Sequence, residues 1–331
     1  MKKTSLVFLS LSLIITYLVL STNIANFRIM HYAYAQTNAV MLATLASTNN
    51  SSKGSGVASG ATASGGAANS TSSITTTTST SNTVQGLQIK KNVNYFDSAS
   101  GYLSYPSNSN NSSNNPANGS AMTISKKLPA VIMIHENRGL NDYIKSTANT
   151  LAREGYVVLA VDLFKGQVAQ TSQQAQQLAS FARSNPVVTI SNLQAAVNYI
   201  SSLPFVDSSK IASIGWCFGG GKSLQLALHS QQHPLVATIL YYGTPLVTDK
   251  QQLSNIKWPV LGIFGDKDQA IPLSNIQQFK AALDSIGVPN ELHIYKGLGH
   301  AFANPSGANY APNQTVDSWQ KTLEFLKKAT Q

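Results

Sequence analysis

Ile211-Ala-Ser-Ile-Gly215-Trp-Cys217-Phe-Gly219-Gly-Gly221 is the stretch on which the reading of this chain turns. Ile211 to Ile214 is a short apolar run that predicts a strand. A Gly-x-Cys-x-Gly turn follows, and the apolar-periodic run from Leu224 to His229 predicts a helix. Strand, glycine turn and helix in this order lift the middle residue of the turn clear of the backbone as a nucleophile. Here that residue is Cys217, where Ser is commoner. The glycines have a steric reason. Side chains two residues to either side of so sharp a turn would collide, and the nucleophile itself needs strained backbone. At the N-terminus of the following helix, the macrodipole favours thiolate over thiol. Two plainer readings compete. A cysteine is often only a small buried hydrophobe, and glycine-rich turns also bind phosphate. The phosphate reading fails by one residue: Gly221-Lys222-Ser223 supplies the end of a phosphate loop, but Trp216 stands where its first Gly belongs.

Outward from that turn, the chain divides by composition. It has 331 residues, with 23 Lys and Arg against 13 Asp and Glu. Residues 1–90 hold five of the basic residues (Lys2, Lys3, Arg28, Lys53 and Lys90) and no acidic one. In the remainder the basic residues are scattered, so no nucleic-acid surface is expected. Lys2-Lys3 followed by apolar Ser5–Leu20 resembles an export signal or a membrane anchor, assigned to residues 1–35. A tether through residues 5–20 and an extracellular or cell-surface location follow as expectations. Ala33-Tyr34-Ala35 fits a cleavage site, but the polar stretch before it leaves cleavage and retention both open. No Cys lies near the apolar run, which excludes a bacterial lipid anchor. Residues 36–87 are rich in Ser, Thr, Asn and Gly and lack periodicity, which predicts a disordered linker. Asn49, Asn50 and Asn69 begin glycosylation-type sequons there. A folded domain is expected over 88–331. Cys217 is the only cysteine, so no intrachain disulfide forms.

Within 88–331, Val93–Phe96 and Tyr102–Tyr105 predict an antiparallel pair, and Ser107–Ser120 a second Asn/Ser-rich insert. Strands are expected at Ala130–Ile134, Tyr156–Val161, Ile211–Ile214, Leu235–Tyr241, Val260–Phe264 and Glu291–Tyr295. Helices are expected at Asp142–Arg153, Gln173–Arg183, Ile190–Ser202, Leu273–Ile286 and Val316–Lys328, with Pro186 separating the second and third. This alternation indicates an α/β fold: a mostly parallel central sheet with helices on both faces.

A Cys nucleophile needs a base, and the base an orienting acid. Downstream of the turn, Phe264-Gly-Asp266-Lys-Asp268 follows one predicted strand and Gly299-His300-Ala-Phe302 follows another. Nucleophile, acid and His thus occur in the chain order of α/β-hydrolases, each at a strand end. Residue pattern alone leaves Asp266 and Asp268 both open, since Asp is common in turns. His135-Glu136 invites a zinc reading, but Gly139 stands where the second His of His-Glu-x-x-His belongs. No metal and no cofactor are expected.

With these pieces assembled, residues 90 to 330 resemble the dienelactone hydrolase (carboxymethylenebutenolidase-like) family of α/β-hydrolases. The matching motifs are Gly101-Tyr-Leu-Ser-Tyr-Pro106, Val131-Ile-Met-Ile-His-Glu136 with Gly139-Leu-Asn141, Asp162-Leu-Phe164, Gly215-Trp-Cys-Phe-Gly-Gly220, Asp268-Gln-Ala-Ile-Pro272 and Gly299-His-Ala-Phe302. The family's acid precedes two residues and an Ile/Val-Pro pair, which selects Asp268. The resemblance implies an ester or lactone hydrolase with a Cys217–Asp268–His300 triad. It implies an oxyanion hole from the N–H groups of Phe218 and Asn137, and a Glu136 that contacts the resting thiol. It also implies a small-molecule ester or lactone substrate. Trp216, Phe218, Phe302 and Tyr310 are candidates to line the pocket, and Arg138, Lys165 or Lys222 to supply charge. Where the family has an Arg that binds a substrate carboxylate, this sequence has Asn304, so dienelactone itself is not the expected substrate. A monomer is expected. The rival class is a non-catalytic surface binding or adhesion domain on a hydrolase fold. A serine esterase is disfavoured, because no Ser occupies the turn.

Overall fold

The computed structural model describes residues 81–84, 87–107 and 127–331. Expectations for residues 1–35, for the linker up to residue 80, for its sequons and for most of the 107–120 insert lie outside these residues. Nine strands form one sheet in the order β1-β2-β3-β5-β4-β6-β7-β8-β9. β1 (Ser81–Val84), β2 (Leu87–Phe96) and β3 (Ala99–Pro106) are antiparallel neighbours, and β3 also runs antiparallel to β5 (Val157–Val161). From β5 onward the sheet is parallel through β4 (Leu128–Ile134), β6 (Val206–Trp216), β7 (Ala237–Tyr241), β8 (Val260–Gly265) and β9 (Asn290–Tyr295). The sheet therefore begins at Ser81, before the expected boundary at residue 88. β1 takes its backbone hydrogen bonds from β2, so a polar run without periodicity is drawn into the ladder by its neighbour.

The central parallel strands form because their runs are apolar without alternation, as two-sided burial requires, whereas the edge strand β9 is only partly buried. Ala130 to Ile134 and Val157 to Val161 are wholly buried. The helices are α1 (Asp142–Arg153), α2 (Ser172–Ser184), α3 (Pro186–Ser201), α4 (Phe218–Leu228), the one-turn α5 (Lys250–Leu253), α6 (Leu273–Ser285) and α7 (Pro312–Thr330). Asn141 caps α1 by accepting from Ile144 N, and Thr171 with Gln174 forms a capping box on α2. α3 starts earlier than the expected Ile190. Pro186 occupies its first turn, where a missing N–H costs nothing, so the proline begins the helix as well as ending the segment before it.

β5 lies on one side of β4 and β6 on the other. Right-handed crossovers then carry α1 and α3 to opposite faces of the sheet. The strand order thus reverses between β4 and β6, the position at which open α/β sheets place their sites. The apolar core lies on both faces of the sheet.

Candidate active site

Four loops meet at the C-terminal ends of the parallel strands. The first is the turn from β6 into α4. Cys217 has φ 54° and ψ −118°, a strained conformation that aims its side chain out of the turn. A Cβ at Gly215 would strike the Gly219 carbonyl, and one at Gly219 would strike the carbonyls of Ile134 and His135. Those two glycines let the turn close and seat it against the end of β4. Cys217 N–H donates to Tyr241 O at 3.0 Å, which pins the turn to β7.

The loops after β8 and β9 supply its partners. His300 Nδ1 lies 2.7 Å from Asp268 Oδ2, and His300 Nε2 lies 3.0 Å from Cys217 Sγ. The other oxygen of Asp268 accepts from the N–H groups of Ala270 (2.8 Å) and Ile271 (3.1 Å). Asp266 takes a different part: it accepts from Gly297 N at 2.6 Å and so ties the β8 loop to the β9 loop. Both aspartates are used, one to orient the imidazole and one to place the loop that carries it. Burial alone would lower the His300 imidazolium, but Asp268 and the Cys217 sulfur outweigh it and hold the ring up to about 10.

The fourth loop follows β4. His135 is fully buried; its Nε2 accepts from Leu163 N (3.2 Å), which leaves Nδ1–H to donate to Glu136 O (2.6 Å). Burial lowers its pKa, so it is a neutral structural group that packs on the Phe164 and Phe218 rings. Glu136 is 5% exposed. Asn304 Nδ2 donates to its Oε2, and its Oε1 has no hydrogen-bond partner among the described residues. No hydrogen bond joins Glu136 to Cys217 Sγ, which faces His300 instead. No ion pair joins it to Arg138, whose exposed guanidinium donates to Ala169 O at 3.4 Å. Lys165 pairs with Asp97 at 2.9 Å, and Lys222 lies over the Phe218 ring. Among the described residues, the N–H groups of Phe218 and Asn137 donate to no backbone carbonyl of a turn or loop.

The aromatic candidates divide. Trp216 and Phe302 belong to the core: Trp216 packs on Tyr241, and Phe302 on Tyr242 and Tyr295. The ring of Phe218 is buried against His135 and Phe164. Tyr310 is exposed. Trp216, with Tyr143, Tyr241 and Trp319, also lines a cavity between the sheet and the helices. Tyr242 is the residue that sequence reading passes over. It follows a wholly buried strand and looks like core. Yet its hydroxyl is buried without a partner, and its ring lies 5.2 Å from that of His300. Among the described residues no group of His, Cys, Asp and Glu is arranged to hold a metal ion, and no helix is long and apolar enough to cross a membrane.

Known proteins were compared with this arrangement in hand. The sequence profile of the dienelactone hydrolase family matches residues 119–330. A provisionally named carboxymethylenebutenolidase of Saccharolobus solfataricus is 29% identical over 238 residues, covering 61% of this chain and 90% of that protein. Protein usf of Aquifex pyrophilus is 29% identical over 206 residues, covering 60% of this chain and 88% of its own length. Among solved structures, a dienelactone hydrolase-like promiscuous phosphotriesterase from metagenomic libraries superposes with a TM-score of 0.63 at 22% identity. It covers 74% of this chain and 100% of that one, which shows the shared α/β-hydrolase fold.

Proposed function

Because the chain belongs to the dienelactone hydrolase family, and is a hydrolase of that kind, we propose that it cleaves an ester or lactone through Cys217, His300 and Asp268. The observation that carries this reading is the unbroken chain from Asp268 Oδ2 through His300 to Cys217 Sγ, at 2.7 and 3.0 Å. The Cys217 thiolate attacks the carbonyl carbon, and the carbonyl oxygen takes up the negative charge between the N–H groups of Phe218 and Asn137. His300 gives its Nε2 proton to the departing alkoxide, leaving a thioester on Cys217. In a lactone, that alcohol stays tethered to the acyl group. Water then gives a proton to His300 and attacks the thioester carbon; the acid leaves and the thiolate is restored. Asp268 holds the ring so that Nε2 faces sulfur throughout. Export, with or without a tether through residues 5–20, is proposed on the sequence alone.

The test is hydrolysis of p-nitrophenyl esters and small lactones, with the Cys217→Ala protein alongside. Cleavage by the wild type and a fall of at least about 1,000-fold in the variant is the expected result. A folded wild-type protein that leaves every ester and lactone intact would sink the reading and favour a binding domain.

A further inference from the structure

His300 is placed by its ring and by its backbone, and different segments hold the two. Asp268 orients the ring. The backbone runs through the loop between β9 and α7. The next residue, Ala301, has φ 60°. A residue with a Cβ is uncommon in that region, and such strain persists only where the surroundings over-determine it. Here the loop is held by its own return. Gly307 N donates to Asn304 O at 2.9 Å and Tyr310 N to Gly307 O at 3.2 Å, so the chain turns back. Ala311 N then donates to Phe302 O at 2.9 Å and closes the turn onto the loop. This return sets Asn309 against Gly299 and His300. Its amide Nδ2 donates to His300 O at 2.9 Å. A Cβ built on Gly299 would lie 3.0 Å from the same nitrogen, so the amide packs along the Gly299–His300 peptide. Among the described residues, this is the one hydrogen bond that the His300 main chain makes.

Only a donor can fill this place, because the partner is a carbonyl oxygen. Resting on the hydrolase reading above, we propose that Asn309 is a positioning residue for His300. By fixing the backbone from which the imidazole projects, it keeps Nε2 at 3.0 Å from Cys217 Sγ. The bond to Asp268 sets how the ring is turned, and the bond from Asn309 sets where it starts. A small shift of that starting point lengthens the contact with sulfur, and rates fall steeply with such misplacement. Asn309 touches neither sulfur nor Asp268, and it is exposed, so its replacement leaves the core intact.

The experiment uses the full chain as wild type, Asn309→Leu and Asn309→Gln. Leu has the size of Asn without a donor, and Gln keeps the amide on a longer stem. Measured for each are kcat and KM with p-nitrophenyl acetate, Tm, and the solvent exchange of the His300 Nδ1 proton by NMR. Asn309→Leu is expected to lose about ten-fold in kcat with KM within about two-fold. Its Tm should stay within about 2 °C of the wild type, as for a surface change. Its Nδ1 proton should exchange several times faster, because the ring is held less firmly against Asp268. Asn309→Gln should stand above Asn309→Leu in kcat and exchange more slowly. The proposal is overturned if either kcat or the exchange rate of Asn309→Leu matches the wild type, if Asn309→Gln falls as far, or if Tm falls in step with kcat. A wild type that cleaves no ester overturns the hydrolase reading instead, and the exchange of the Nδ1 proton then still decides the part played by Asn309.

Discussion

Asp268 after β8 and Glu136 after β4 are both buried carboxylates, and the protein treats them in opposite ways. Asp268 has donors on both oxygens: His300 on one, and the N–H groups of Ala270 and Ile271 on the other. Glu136 has a single neutral donor, the Asn304 amide, and one bare oxygen. A carboxylate whose lone pairs are filled by its own loop is rigid and can hold an imidazole in one orientation. One left half-filled is held at a disadvantage in the resting protein.

Asp268→Asn tests the first half and carries the largest expected effect. It should lower kcat by about 1,000-fold or more, because the neutral amide no longer selects the imidazole tautomer that faces sulfur. A loss under ten-fold, measured at saturating substrate, would break the distinction between the two loops. Glu136→Gln should be milder in rate and opposite in sign for stability. Burial, opposed by Asn304 and by the charges of His300 and Arg138, holds the Glu136 carboxyl above its usual range. The folded state then binds that proton more tightly than the unfolded chain, so stability falls as pH rises through the raised value. The variant should therefore melt a few degrees above the wild type near pH ~8 and level with it near pH ~4. Thermal melts at the two pH values decide this.

The pH profile sharpens the same contrast. With His300 held up to about 10, the imidazolium persists through neutrality, and kcat should fall only as pH passes that region. The apparent value belongs to the Cys217–His300 pair. In Asp268→Asn this limb should move to lower pH, since the carboxylate is part of what holds the proton; in Glu136→Gln it should stay high. The smallest effect expected is at a third buried charge. Lys222 lies on the Phe218 ring, and burial, with the Arg183 charge, lowers it to about 8. Its protonated form weakens the fold below that pH, and stability is regained as pH rises toward the ordinary lysine value. Lys222→Met should raise Tm slightly at neutral pH, with the gain closing above about pH 10.

The sequence by itself determined most of this protein. Apolar runs without alternation gave the parallel strands, glycines at 215 and 219 gave the turn that carries Cys217, and the order of Cys217, Asp268 and His300 gave the triad candidates. These are local signals, because each rests on residues a few positions apart whose sterics and periodicity the chain cannot evade. The antiparallel strand at Ser81–Val84 was hidden, because its hydrogen bonds come from a neighbour and its composition looks like linker. The choice of Asp268 over Asp266 rested on resemblance until the fold separated them, one aspartate to the imidazole and the other to Gly297 N. Likewise only the tertiary structure showed Asn304 on Glu136 across 168 residues of chain, and Tyr242 without a partner beside His300. Whether a buried polar atom is satisfied depends on what distant segments bring to it, and local sequence does not record that.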